Sequence, residues 1–262
     1  MKSSILERAR RGEDLRDLRI TDAHAHVGNL NWFPLGADGS AEGLLTVMDR
    51  VGIERLCATS THATIGAEYR FGNDEVAEAV RKYPKRFFGY TVLYAHRPEG
   101  VLPEILRCAK KGHRGLKIHS YQQIPYDAPA FHPAYEYANE RNMPILAHTW
   151  GKPEIGWIRT LAEKYPNIRW LMGHSGVVDF EDYVKIANDF EHVYLETCFS
   201  FSFHRVFERF VEQVGAEKVL WGSDACFLSA SHQVGRALFA DISDEDKRKV
   251  LGGNARRVLG LT

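Results

Sequence analysis

A chain of 262 residues that is 44% hydrophobic and 26% charged can bury a full core, and no run in it approaches the roughly 18 apolar residues of a membrane-spanning helix. Lys plus Arg and Asp plus Glu each total 34, so no net field draws the protein to nucleic acid or to an anionic membrane. The basic pieces at Arg8, Arg10 and Arg11 and at Lys110 and Lys111 read as solvated helix faces.

In chain order, Met1–Glu7 is too charged for a signal peptide, and Ser4-x-x-Glu7 has the spacing of a capping box that opens a short leading helix. β-branched and aromatic runs bounded by turn residues then mark eight strands, over 18–27, 53–60, 87–94, 114–120, 144–150, 168–175, 193–199 and 218–226. Helical periodicity fills the gaps between them. Asn73 caps a helix from Asp74 to Tyr83; Pro98 to Lys111 stops at Gly112; Phe131 to Asn142 precedes Met143-Pro144. Pro153 to Tyr165 stops at Pro166, and Phe203 to Val214 stops at Gly215. No linker, repeat or low-complexity segment interrupts the series. Eight strands alternating with helices predict an α/β chain folded as one (β/α)8 TIM barrel with a short N-terminal leading helix. A single domain over 1–262 sits close to the roughly 250 residues typical of that architecture. Cys57, Cys108, Cys198 and Cys226 show no Cys-x-x-Cys spacing, which points to a reducing compartment, the cytoplasm, over a disulfide framework.

Barrel enzymes work at the C-terminal ends of their strands, and here polar residues gather at those ends. The first strand carries His24 and His26, an i, i+2 pair on one face of a strand. The fourth carries Lys117 and His119, the fifth ends in His148, the sixth in His174, and the eighth in Asp224. Converging imidazoles and carboxylates would repel or stay unpaired without a cation, whereas three His and one Asp with an open position make a catalytic zinc shell. Lys117 faces inward by strand alternation, and a charge there needs a partner. Three explanations stand: a pair with Asp22 or Glu196, capture of a substrate carboxylate, or carbamylation to a ligand bridging two metals.

Beyond Asp22-Ala23-His24-Ala25-His26, the pieces Lys82-Tyr83-Pro84-Lys85-Arg86-Phe87-Phe88-Gly89, Arg114-Gly115-Leu116-Lys117-Ile118-His119 and Pro144-Ile145-Leu146-Ala147-His148 form a recognisable set. It continues through Gly173-His174-Ser175-Gly176 and Gly222-Ser223-Asp224 to Leu251-Gly252-Gly253-Asn254-Ala255-Arg256-Arg257. Over nearly its whole length the chain resembles the amidohydrolase superfamily, within it the group that includes aminocarboxymuconate semialdehyde decarboxylase. The resemblance implies that His24, His26, His148 and Asp224 ligate a metal. His174 then polarises substrate or moves protons, and joins Lys117 and His148 around a second ion if the site is binuclear.

Zinc, as one ion or two, would lower the pKa of bound water to about 7 and make a nucleophile. Asp224 would take and return the proton while His174 steadies the carbonyl oxygen. The leading expectation is therefore a metal-dependent hydrolase of a small amide, lactone or ester. The alternative is a non-oxidative decarboxylase of an unsaturated or aromatic carboxylate, against which Lys117 argues because those relatives generally lack it; a metal-binding barrel without turnover is the third reading. Trp32, His62, Tyr69, Arg70, His119, Tyr121, Trp150, Cys226 and Phe227 are loop candidates for contact with a compact, planar or anionic small molecule. Among these and the strand ends, Lys117, His119, Trp150, Tyr121 and Arg70 are the substrate-binding set. Neither nucleic acid nor a membrane is an expected partner, and a homo-oligomer is left open.

Overall fold

The computed structural model describes residues 4–30, 38–66, 68–199 and 204–261; Trp32 and Phe203, both singled out above, lie outside the described residues. The leading helix α1 (Ile5–Arg10) carries the expected capping box, with Ser4 Oγ accepting from Glu7 N–H and Glu7 reaching back to Ser4 N–H. The first half of the chain runs β1 (Ile20–Val27), α2 (Ala41–Val51), β2 (Ile53–Ser60), α3 (Thr61–Thr64), α4 (Tyr69–Lys82), β3 (Phe87–Val92), α5 (Pro98–Ala109) and β4 (His113–Ile118). The second half runs α6 (His132–Glu140), β5 (Pro144–His148), α7 (Lys152–Lys164), β6 (Arg169–Gly173), α8 (Phe180–Asp189), β7 (Val193–Glu196), α9 (Val206–Val214) and β8 (Val219–Leu220). Then come α10 (Ala230–Leu238), α11 (Asp244–Arg248) and α12 (Asn254–Leu259).

Each strand pairs in parallel with the next, β1 through β8, in one eight-stranded sheet. Backbone hydrogen bonds join its two edges: Ala23 N–H donates to Trp221 O at 3.1 Å, Asp224 N–H to His24 O at 2.8 Å, and His26 N–H to Ala225 O. The fold is a TIM barrel. Strand alternation divides the core. Leu116, Ile118, Ile145 and Ala147 face the helices, while Phe88, Leu146, Leu171 and Leu220 fill the interior. Ala255, Val258 and Leu259 of α12 join that inner cluster and close the interior below the polar mouth. Among the described residues no helix is long and apolar enough to cross a membrane, and all four cysteines are free thiols.

Two local expectations are corrected. Asn73 does not cap a helix: α4 begins at Tyr69, and the buried Asn73 amide bonds Val92 on β3 and Glu104 on α5. Tertiary partners have taken the side chain that a cap would have used. The last two strands are shorter than expected, ending at Glu196 and Leu220, because their C-terminal residues leave the ladder to build the mouth.

Candidate active site

His24 and His26 stand on β1 with ring centres 5.3 Å apart. His26 Nε2 lies 3.0 Å from Asp224 Oδ1, and His24 Nε2 lies 3.8 Å from the same oxygen. Asp224 follows β8 and His174 follows β6, both in the left-handed region at φ 55° and 64°. That conformation costs roughly 1–2 kcal/mol for a residue with a side chain, and here it turns each group off the strand end into the mouth. The His148 ring is 4.7 Å from that of His174 and 4.0 Å from that of His119.

Behind these rings is a residue that sequence reasoning had weighed only as a partner for Lys117. Glu196, the last residue of β7, accepts His24 Nδ1–H at 2.8 Å and Cys198 Sγ–H at 3.0 Å on Oε2, and Cys198 N–H at 2.7 Å on Oε1. Its place at a strand end was the signal available. Gly222 makes room for it: a Cβ there would stand 2.5 Å from Glu196 Oε1 and 2.8 Å from His24 Cβ. Lys117 is inward and fully buried, as alternation predicts, but its Nζ lies 3.0 Å from His24 Nε2. Asp22, the other partner expected for it, is instead bonded by Ser223 N–H, Ser223 Oγ–H and His24 N–H.

Burial decides the charge states. It holds the imidazoles of His24, His119 and His148 well below the ordinary value, lowers His26, and brings His174 to about 4. The same desolvation pushes Glu196 up to about 8 and Asp22 to about 7, and pulls Lys117 down to about 8. Uncharged imidazoles offer lone pairs, the form a metal ligand requires. Among the described residues, donor atoms of His24, His174, Cys198 and Asp224 lie within 4.8 Å of one another. With His26 on Asp224 and His148 beside His174, this donor set fits a divalent cation.

The mouth is a cavity of about 420 Å³ lined by His24, His26, Ile65, His119, Ser120, Tyr121, Gln123, His148, Trp150, His174, Asp224 and Phe227. Of the residues expected at the substrate, His119, Tyr121, Trp150 and Phe227 are there. Lys117 is not in the lining, because it lies beneath the imidazoles. Arg70 is not either: it is two-thirds exposed on α4 with Nε 3.8 Å from Glu104. His62 is turned to Glu75 at 2.8 Å, Tyr69 stacks on Tyr94, and Cys226 donates to the Gly28 carbonyl. Ile65, Ser120 and Gln123 were missed: Ile65 follows the single turn of α3, and Ser120 and Gln123 lie on the 3₁₀ turn after β4, both too short to show a periodicity.

A curated relative from Polaromonas sp. strain JS666, a γ-resorcylate decarboxylase, is 25% identical over 82% of this chain and 86% of its own length. A solved 2,6-dihydroxybenzoate decarboxylase complexed with 2,6-dihydroxybenzoate superimposes with TM-score 0.74 at 18% identity, covering 93% of this chain and 98% of that one. A dihydroxybenzoic acid decarboxylase from the same Polaromonas strain, with bound manganese and the inhibitor 2-nitroresorcinol, gives 0.69 at 21% identity over 83% and 85%. These structures share the barrel. The expectation of a hydrolase of amides, lactones or esters is overturned by these relatives, which are decarboxylases, and zinc is not the metal in the manganese-bound structure. The error has a physical source. Strand-end histidines and an aspartate specify a cation, which polarises substrate for either reaction, and Lys117, weighed against a lyase, lies outside the cavity. A family profile described as Amidohydrolase matches residues 21–261, a span running from the start of β1 past the end of α12. With the barrel, the histidine pair on β1 and the aspartate after β8 all inside that span, the chain belongs to the amidohydrolase family.

Proposed function

We propose that the protein is a metal-dependent, non-oxidative decarboxylase of a small aromatic or unsaturated carboxylate. The observation that carries this reading is a cavity of about 420 Å³, with room for a substituted ring, a donor cluster at its floor and Asp224 as its one carboxylate among the described residues. The decarboxylase relatives, matched over most of the chain, narrow the reaction.

His24, His26, His148 and Asp224 would hold the cation, with His174 beside them. Cys198 is assigned behind the ligands: its Sγ lies 3.1 Å from His24 Nδ1, on the edge of the ring opposite the Nε2 that faces Asp224. A divalent cation held there would supply Lewis-acid polarisation of the substrate. Trp150, edge-on to His174, and Phe227, tilted against His26, supply apolar surface in the cavity that would lie against a ring and limit water. Asp224 gives a proton to the ring carbon that bears the carboxylate. The bond from that carbon to the carboxyl group then breaks, its electron pair returns to the ring, and carbon dioxide leaves. His26 Nε2, 3.0 Å from Asp224 Oδ1, orients that carboxyl group toward the cavity.

The test is incubation of manganese-loaded protein with 2,6-dihydroxybenzoate, 5-carboxyvanillate and related aromatic carboxylates, with detection of carbon dioxide and the descarboxy product. Release that disappears on chelation and in Asp224→Asn supports the reading. Absence of release across the panel removes it.

A further inference from the structure

Each histidine proposed as a ligand has its Nδ1 engaged by a neighbour: His24 by Glu196 at 2.8 Å, His26 by Thr59 Oγ1 at 2.5 Å and His148 by Ser120 Oγ at 3.0 Å. A hydroxyl can give or take a hydrogen, so the sense of the His148 bond depends on where the Ser120 hydrogen points. Tyr126 decides it. Its side chain is buried, and its Oη–H donates to the His148 carbonyl at 2.7 Å, which leaves only lone pairs on the Tyr126 oxygen. Burial holds the Tyr126 hydroxyl well above its ordinary value, and the Ser120 hydroxyl and N–H, which face its oxygen, act against that. With the Ser120 hydrogen directed to Tyr126, Ser120 Oγ is left to accept His148 Nδ1–H. His148 is then held twice, at its carbonyl by Tyr126 and at its ring by Ser120. The turn that carries Ser120 is itself pinned, because Gln122 Nε2–H donates to Leu93 O at 2.6 Å and Gln122 Oε1 accepts Ala95 N–H at 2.8 Å. A ring free to rotate would meet the imidazoles of His119 and His174, whose centres lie 4.0 and 4.7 Å away.

We propose that Ser120 and Tyr126 are positioning residues for His148, which together fix its Nδ1–H tautomer and turn its Nε2 lone pair toward the cation. This rests on the ligand set of the decarboxylase reading and adds the groups that make this imidazole a ligand. Which ring nitrogen binds a metal is set by the hydrogen bond the other one makes. Tyr126 acts one bond further out, by occupying the Ser120 hydrogen.

Nitrogen-15 NMR of the full-length protein, loaded with diamagnetic zinc, reads the tautomer: His148 gives an Nδ1–H signal and a metal-bound Nε2. An Nε2–H on His148 overturns the proposal whatever the protein turns over. Manganese affinity by chelator competition then tests the two residues. Ser120→Ala lowers it about 10-fold, and Ser120→Thr, which keeps the hydroxyl, restores most of the loss. Tyr126→Phe frees the Ser120 hydrogen to point at His148 and lowers affinity in the same direction. Because both act through one bond, the double variant Ser120→Ala, Tyr126→Phe loses no more than Ser120→Ala alone. Additive losses, or a fall in melting temperature with the His148 tautomer and manganese affinity unchanged, overturn the inference while carbon dioxide release, and hence the decarboxylase reading, stands. Wild type that binds no manganese and releases no carbon dioxide overturns both.

Discussion

Glu196 is the residue on which the inner wall of the site turns. By accepting His24 Nδ1–H it fixes the tautomer that leaves Nε2 toward Asp224. Glu196→Gln puts an amide N–H against Cys198 N–H or His24 Nδ1–H, and metal affinity should fall about 10- to 100-fold in a chelator competition assay, with the far-ultraviolet spectrum unchanged. Unaltered affinity would remove Glu196 from the site. Lys117 shares the lone pair of His24 Nε2, so Lys117→Met should leave about one metal per chain; two ions with a carbamate on Lys117 in the wild type would establish a bridged site instead. His113, at the start of β4, lies away from the mouth with Nδ1 on Thr91 Oγ1, and burial lowers it from 6.5 to about 4. It stays neutral in the folded chain while the unfolded chain protonates. Its contribution is therefore complete above pH 6.5 and is lost as pH falls toward 4, by about 3 kcal/mol. Denaturant unfolding of His113→Phe at pH 7 and pH 4 should show a correspondingly smaller pH dependence; an equal dependence would discard this assignment.

Short elements carry the precision of the mouth. After the two residues of β8, Gly222 lies against Glu196 and His24, neither of which can retreat. Gly222→Ala should destabilise the fold by roughly 1–3 kcal/mol and weaken metal binding with it; thermal unfolding and metal content measured on the same preparation check both. Strands were legible in the sequence because each is a short, mostly buried run bounded by turn residues, and α1 because both halves of its capping box are local. The start of α4 was not legible: Glu68 makes no side-chain cap bond, so nothing local announces Tyr69. The same holds for α8, entered through Asp179 in the left-handed region without a cap bond. Strand alternation placed Lys117 inside, but its partner was chosen by packing from β1, ninety-three residues away, and no periodicity reports that. Nor did the residues at strand ends distinguish lyase from hydrolase, since the same groups hold a cation for both.

Across the whole molecule the framework and the cation site are separable. The helix-facing core and the α12 stopper lie outside the mouth, so metal removal should abolish turnover while the far-ultraviolet spectrum is retained and the melting temperature falls by roughly 10 °C. Full turnover in a metal-free preparation, or collapse of the fold on chelation, would contradict this. The seam between β1 and the segment after β8 joins chain ends: Asp22 and Ser223 are 201 residues apart, and His26 and Asp224 are 198 apart. During translation at about 5–20 residues per second, His24 and His26 therefore wait roughly 10–40 s on the ribosome before Asp224 is made. The nascent chain cannot assemble its full donor set until the barrel's last strand has emerged, so metal capture waits on that strand.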